Sequence, residues 1–174
     1  MLSHKLPTQG KPAIDSRVEN NEIVQPGDLN INNTLFGGRL VALVDKIAAI
    51  SAFKHSDMSC VTISIDHLIF KKPVPQGSLI TLRACVNRVF NTSLEVGVKV
   101  TMRHGSWAKG EEHVCSAYLT FVTFDENGKK SKSIQALPQS ADEIRRFKHA
   151  SMRREGRKKL KVFMDEMQAN DSEP

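Results

Sequence analysis

The sequence predicts an α+β fold: an antiparallel sheet packed on one long apolar helix, with a basic helix added near the C-terminal end. Three observations predict it. Residues 38–53, GRLVALVDKIAAISAF, are apolar at nearly every position and contain no proline. Several segments between Val61 and Phe124 then alternate apolar and polar residues with period two. Beyond Pro138 a helical pattern returns, now crowded with Lys and Arg.

In chain order, SRVENNEIV (Ser16–Val24) reads as an opening strand, ended by Pro26-Gly27-Asp28. The helix from about Gly38 to Phe53 is apolar on all sides, so it suits a buried centre better than an amphipathic surface. After Ser56-Asp57, Val61, Ile63 and Ile65 fall on one strand face and Thr62, Ser64 and Asp66 on the other. Leu68 and Phe70 continue the apolar face on even numbers, which predicts a bulge near His67 before Pro73 and Pro75 close the strand. Ile80, Leu82, Ala84 and Val86 mark the next strand, and Leu94, Val96, Val98, Val100 and Met102 the one after. Asn91-Thr92 is the hairpin turn between them.

The segment His113–Phe124 is apolar on both faces, which places it centrally, and Asn127-Gly128 ends it. These strands are read as consecutive and antiparallel. Ser140-x-x-Glu143 is a capping box that opens the basic helix; Gly156 is expected to interrupt it, and QANDSEP reads as a frayed tail. The expected division is a sheet-and-helix domain over 16–130 and a basic helical extension over 138–168. A helix apolar all round needs cover on more than one side, and the sheet supplies only one. A second copy of the chain is therefore expected, making at least a dimer.

Composition narrows the function. The chain has 174 residues, 40% hydrophobic and 25% charged, values of an ordinary globular protein. No apolar run approaches the roughly 20 residues of a membrane span, and the start MLSHKLPTQGKP has no secretory h-region, so a cytoplasmic location is expected. Cys60, Cys85 and Cys115 are odd in number and far apart, and read as buried free thiols. The six histidines (His4, His55, His67, His104, His113, His149) form no H-x-x-x-H pair, so no metal is expected. The net charge of +6 suits an anionic partner: nucleic acid, an acidic membrane, or a phosphate-rich small molecule. Nine of the 25 Lys and Arg lie between Arg145 and Lys161, so the surplus belongs to the C-terminal helix, read chiefly as a solvated face. With one Tyr and one Trp, the chain lacks the stacking surface of a nucleic-acid protein.

Three features could carry chemistry. Asp45 is an acid amid Val41, Ala42, Ala48 and Ala49. A buried carboxylate either serves a purpose or finds a partner, for which Lys46 and Arg39 are candidates. Gly37-Gly38 at the helix start leaves unpaired N–H groups that could hold an oxyanion, or is simply a turn. Asn30, with Asn32, Asn33 and Thr34, forms a polar loop that could instead supply turn and cap hydrogen bonds.

The stretch NINNTLFGGRLVALVDKIAAISAFKH (Asn30–His55) resembles the signature of hotdog-fold acyl-CoA thioesterases, of the brain and bacterial acyl-CoA hydrolase group. That signature is an Asn, an aromatic or aliphatic residue, Gly-Gly, and an Asp in the helix. Fifteen positions separate Asn30 from Asp45. VTISIDHLIFKKPVPQGSLITLRACVNRV and NTSLEVGVKV resemble the family's following strands, so the likeness runs from about Val18 to Lys129. Many relatives carry Gly where Asn33 stands and an apolar residue where Arg39 stands.

The resemblance implies a hotdog fold and hydrolysis of acyl-CoA to fatty acid and coenzyme A. Asp45 would be the general base or the nucleophile, Asn30 would orient water or substrate, and the N–H near Gly38 would polarise the thioester carbonyl. Phe36 and Gly37 would line the substrate site, and Thr92 and Ser93 match a polar pair near the nucleotide. It also implies a homodimer as catalytic unit, with Asn from one subunit and Asp from the other, and a trimer of dimers (a hexamer) as assembly. No cofactor is implied beyond the coenzyme A of substrate and product. The competing readings are a non-catalytic acyl-CoA-binding regulator, which has no need of Asp45, and a hydratase, which wants a histidine close before Gly37-Gly38.

Overall fold

The structure is a computed structural model that describes residues 6–66, 68–105, 108 and 110–170. The elements run β1 (Lys11–Pro12), β2 (Val18–Ile23), α1 (Gly37–Ser56), β3 (Ser59–Asp66), β4 (Leu79–Val89), β5 (Ser93–Arg103), β6 (Glu112–Phe124), β7 (Ala136–Leu137) and α2 (Ala141–Asn170). Five strands form one antiparallel sheet in the order β2-β4-β5-β6-β3. The strand after α1 therefore does not pair with the strand that follows it in sequence. β3 lies at the edge beside β6, and β6 is internal, as its two apolar faces predicted. β1 and β7 form a short parallel pair that no alternation announced.

The concave face of the sheet closes over α1. Leu40, Leu43, Val44, Ile47, Ala48 and Ala52 are buried against Leu82, Val86, Leu94, Val96, Val100, Leu119 and Phe121. Each large aliphatic side chain so buried stabilises the fold by about 1.5–3 kcal/mol. Cover stops there: Ile50 and Phe53 on the far side of α1 are 48% and 58% exposed, as a helix wrapped on one side requires. α1 ends where Asp57 adopts left-handed backbone (φ 54°) and its N–H closes on Phe53 O at 2.8 Å.

The bulge lies elsewhere than expected. His67 is outside the described residues, β3 ends at Asp66, and Leu68 and Phe70 are not part of it. The register instead shifts between Thr62, opposite Phe121, and Ser64, opposite Thr120. One extra residue, Ile63, inverts the strand, so Thr62 faces α1 while Ser64 and Asp66 face the opposite, convex side.

On that convex side lies α2, which corrects the reading of its arginines as solvated. Phe147 and Ala150 are buried, the Arg88 guanidinium stacks 4.0 Å from the Phe147 ring, and Arg153 lies 3.6 Å over Tyr118. Arg153 also grips Glu95, which is fully buried, at 2.7 and 3.1 Å, while Arg157 bonds Asp66 and approaches Glu95 at 3.5 Å. The capping box forms: Ser140 Oγ accepts from the Glu143 N–H, and Glu143 Oε2 accepts from the Ser140 and Gln139 N–H groups. Gly156 does not break α2, because a single glycine costs only about 1 kcal/mol and the docked turns on its N-terminal side hold. Gln168, Ala169 and Asn170 of the supposed tail are helical, and the remainder lies outside the described residues.

His55, in the last turn of α1, is buried; its Nε2 donates to Ile134 O at 3.2 Å, and its Nδ1 has no hydrogen-bond partner among the described residues. Burial pushes its pKa down, against the opposing pull of that carbonyl. Glu95 and His55 each give an expected outcome. Glu95→Ala strands Arg153 beneath α2, and urea unfolding should show a loss of about 3–5 kcal/mol. For His55 the unfolded chain takes up a proton as pH falls through about 6.5 while the folded chain resists. Stability is therefore full above that pH and declines below it, and His55→Gln should flatten the slope in melts between about pH 6.5 and pH 5.

Candidate active site

The loop before α1 is built by Asn30. Its Oδ1 accepts from the N–H of Asn32 (2.9 Å) and Thr34 (3.2 Å), and its Nδ2 donates to Thr34 Oγ1 at 3.0 Å. The turn is closed by Asn30 N–H to Thr34 O at 2.8 Å and Asn33 N–H to Asn30 O at 3.0 Å. Asn33 sits at φ 56°, which explains a preference for glycine there and why Asn, with its tolerance of left-handed backbone, can replace it. The turn role foreseen for Asn30 is thus real, whereas its side chain bonds only Asn32 and Thr34 and caps no helix among the described residues.

The chain then runs straight into α1. Phe36 is the N-cap residue without a side-chain cap, and the first helical hydrogen bond is Leu40 N–H to Phe36 O at 3.1 Å. The N–H groups of Gly37, Gly38 and Arg39 precede that ladder and point out of the helix end. Close approach bears on Gly38 alone: a Cβ there would stand 2.5 Å from the Phe36 ring and force it aside, whereas one on Gly37 would meet the Phe70 ring at an ordinary contact distance of 3.4 Å. Arg39 does not pair with Asp45; its Nε bonds Asp28 at 2.9 Å. Asn30, Thr34, Gly37, Phe70 and Lys71 share the walls of a cleft of about 270 Å³.

Asp45 stands apart from that cleft. It is half-buried on the uncovered side of α1, with no ion pair among the described residues, and accepts from Thr62 Oγ1 at 2.8 Å. Thr62 is the residue the sequence reading passed over. Its signal is its place on the polar face of β3, directed at the helix by the bulge. Along α1, Gly38 and Asp45 are seven residues apart, about 10 Å. One chain therefore brings Asn30 to Gly37 and Thr62 to Asp45, but keeps the two pairs separate.

Thr92 and Ser93 form the β4–β5 hairpin, where Phe90 N–H meets Ser93 O at 2.8 Å and Thr92 O accepts from Thr123 N–H at 3.0 Å. Ser93 pairs with Val122, and Val122 with Val61, so this hairpin lies at the end of the sheet where α1 finishes, opposite Gly37. The thiols are not candidate nucleophiles: burial raises all three, Cys115 to about 11, although Cys60 and Cys85 are only half-buried rather than buried. Among the described residues no three His, Cys, Asp or Glu side chains gather as a metal site, and no helix is long and apolar enough to cross a membrane.

Known proteins share this fold. The profile of the family described as "Thioesterase superfamily" matches residues 32–106. The uncharacterized acyl-CoA thioester hydrolase YkhA of Bacillus subtilis is 38% identical over 148 residues, covering 84% of this chain and 85% of the relative. An acyl-CoA hydrolase of Staphylococcus aureus, solved with butyryl coenzyme A, coenzyme A and coenzyme A disulfide, is 31% identical and superposes with a TM-score of 0.85. The superposition covers 94% of this chain and 99% of the other. Three variants of that enzyme replace an asparagine, an aspartate and a threonine by alanine, at positions fifteen and seventeen residues apart. A hexameric acyl-CoA thioesterase, solved without ligand, is 36% identical, covers 87% of this chain and 97% of its own, and gives a TM-score of 0.82. With relatives alike across the sheet and both helices, this chain belongs to the hotdog-fold acyl-CoA thioesterases.

Proposed function

We propose that this acyl-CoA thioesterase hydrolyses its substrate in a site shared between two subunits, Asn30, Gly37 and Gly38 coming from one and Asp45 with Thr62 from the other. The observation that carries this reading is the separation of about 10 Å between Gly38 and Asp45 along one helix. A general base must come within roughly 3 Å of the proton it takes, so Asp45 cannot serve a thioester held at its own helix start. The uncovered side of α1 is the surface a second copy would occupy, and an antiparallel neighbour there sets one chain's helix start beside the other's Asp45. The spacings agree with the enzyme from Staphylococcus aureus: Asn30, Asp45 and Thr62 are also fifteen and seventeen residues apart.

The chemistry follows from the parts. The thioester carbonyl lies in the cleft at the helix start, and the free N–H of Gly38 together with the helix dipole stabilises the oxyanion. Asp45, oriented by the Thr62 hydroxyl, takes a proton from the attacking water, or attacks the carbonyl itself and is then hydrolysed. The acyl–sulfur bond breaks, and coenzyme A and a fatty acid leave. Asn30 orients water or substrate, and Phe36 covers the glycines. Thr92 and Ser93, at the opposite end of the sheet, can meet the nucleotide only of a substrate bound mainly by another subunit, which fits a hexamer built as a trimer of dimers. Residues 16–130 carry the catalysis and 138–168 the extension, in a cytoplasmic enzyme that uses neither metal nor cofactor.

Two linked measurements test this. With a panel of acyl-CoA esters from acetyl to palmitoyl, Asp45→Asn should lower thiol release by about 10²–10⁴-fold while acyl-CoA binding survives. Retained turnover would remove Asp45 from the mechanism. Mixing inactive Asn30→Ala and Asp45→Ala subunits should restore roughly a quarter of wild-type activity, because random pairing gives half heterodimers with one intact site each. Failure to complement, with mixed dimers present, would place the whole site in one chain.

A further inference from the structure

α2 has a direction and an exposed end. Its early residues sit on β4, where Phe147 and Ser151 meet Arg88. Arg153 reaches Glu95 of β5 and Tyr118 of β6, and Arg157 reaches Asp66 of β3. The helix therefore crosses the convex face toward the edge strand and passes it. Every described side chain from Lys158 to Gln168 is exposed. The thirteen residues 158–170 continue the helix about 20 Å past Arg157, about four strand spacings.

The overhang carries the pattern of a pairing surface. Leu160, Phe163, Met164 and Met167 fall in one stripe, each 48–55% exposed. At 100° per residue, Lys161 and Asp165 lie on one flank of that stripe, and Lys159 and Glu166 on the other. None of these four has an ion-pair partner among the described residues. Like flanks meet when two such helices pack antiparallel, so around a centre at Phe163 each lysine of one helix stands by an acid of the other. A parallel pair would oppose like charges. The edge that α2 overhangs is the edge of β3, which has no strand beyond it among the described residues and leaves Val61, Ile63 and Ile65 40–59% exposed.

We propose that the end of α2 is a dimer arm: it crosses the β3 edge and packs antiparallel on the same segment of a second copy of this chain. The inference rests on the two-subunit reading of the active site, and adds to it a contact on the opposite face of the sheet. The arm ties the convex sides of two subunits together while the α1 faces meet on the concave sides. Charge reversal tests it in the full chain. Asp165→Lys with Glu166→Lys, and Lys159→Glu with Lys161→Glu, should each raise the dissociation concentration of the dimer at least tenfold in sedimentation velocity at low salt. Mixed together, the two variants should form heterodimers beyond the share that random exchange gives, read by native mass spectrometry.

Wild-type dimers that both variants leave unchanged, with random exchange on mixing, would overturn the arm. So would unchanged assembly combined with loss of binding to phosphatidylglycerol vesicles in the lysine variant alone, which would make a lipid surface the occupant. A wild-type chain that stays monomeric at all concentrations would instead overturn the shared active site.

Discussion

A single extra residue in an edge strand decides what each side of this sheet can do. Because strand side chains alternate with period two, Thr62, Ser64 and Asp66 would all face the same way in an unbroken β3. The bulge at Ile63 separates them. Thr62 is left on the helix side, where its hydroxyl meets Asp45, and Asp66 is turned to the convex side, where it meets Arg157. Without the bulge, either the carboxylate of Asp45 loses its donor or a second carboxylate enters the apolar concave face. Burial of an unpaired acid there costs several kcal/mol, so the bulge is worth more than the ladder bond it interrupts.

The convex face shows how the basic surplus is spent. Glu95 is wholly enclosed, and isolation of its charge would be intolerable, but Asn87, Arg153 and Arg157 surround it. Arg153 and Arg88 also lie on the rings of Tyr118 and Phe147, so their flat guanidinium groups serve as packing as well as charge. Lysine could not do both. This explains why arginine supplies the contacts of the docked half of α2, while Lys158, Lys159 and Lys161 follow where the helix leaves the body.

What was legible in the sequence follows from which signals are local. α1, the alternating strands and the capping box at Ser140 are patterns within a few residues, and each is present. Pairing across distance is not local: nothing in residues 59–66 says that their neighbour is β6 rather than β4. The bulge was misplaced at His67 because the odd-numbered run Val61-Ile63-Ile65 looks unbroken, whereas it changes faces part-way and stays partly exposed on both sides. Gly37-Gly38 and Asp45 stand out in the sequence as a glycine pair at a helix start and an acid among alanines, whereas Asn30 reads as a turn residue and enters the proposed site through the family resemblance. Thr62 does not stand out, since a threonine on the polar side of a strand is ordinary until a helix is set opposite it. The arginines of α2 looked solvated because charge density suggests water, and the buried acid that draws them in lies 58 residues earlier in the case of Arg153.

In the proposed shared site, the half-burial of Asp45 is what would tie assembly to chemistry. A carboxylate sealed in a monomer core would resist ionisation, and one on an open surface would be screened by water and act as a weak, poorly oriented base. Here the single chain leaves Asp45 half-buried and fixed by one hydroxyl, on a helix face that lacks its cover. Ala42 and Ala49, one helical turn to either side, leave room beside it for another chain's backbone. Closing that face would expel water from around Asp45 at the same moment that it delivered a helix start with free N–H groups. The catalytic environment and the burial of Ile50 and Phe53 would thus come from one association step, which gives the proposed site a reason to lie at an interface rather than inside a subunit.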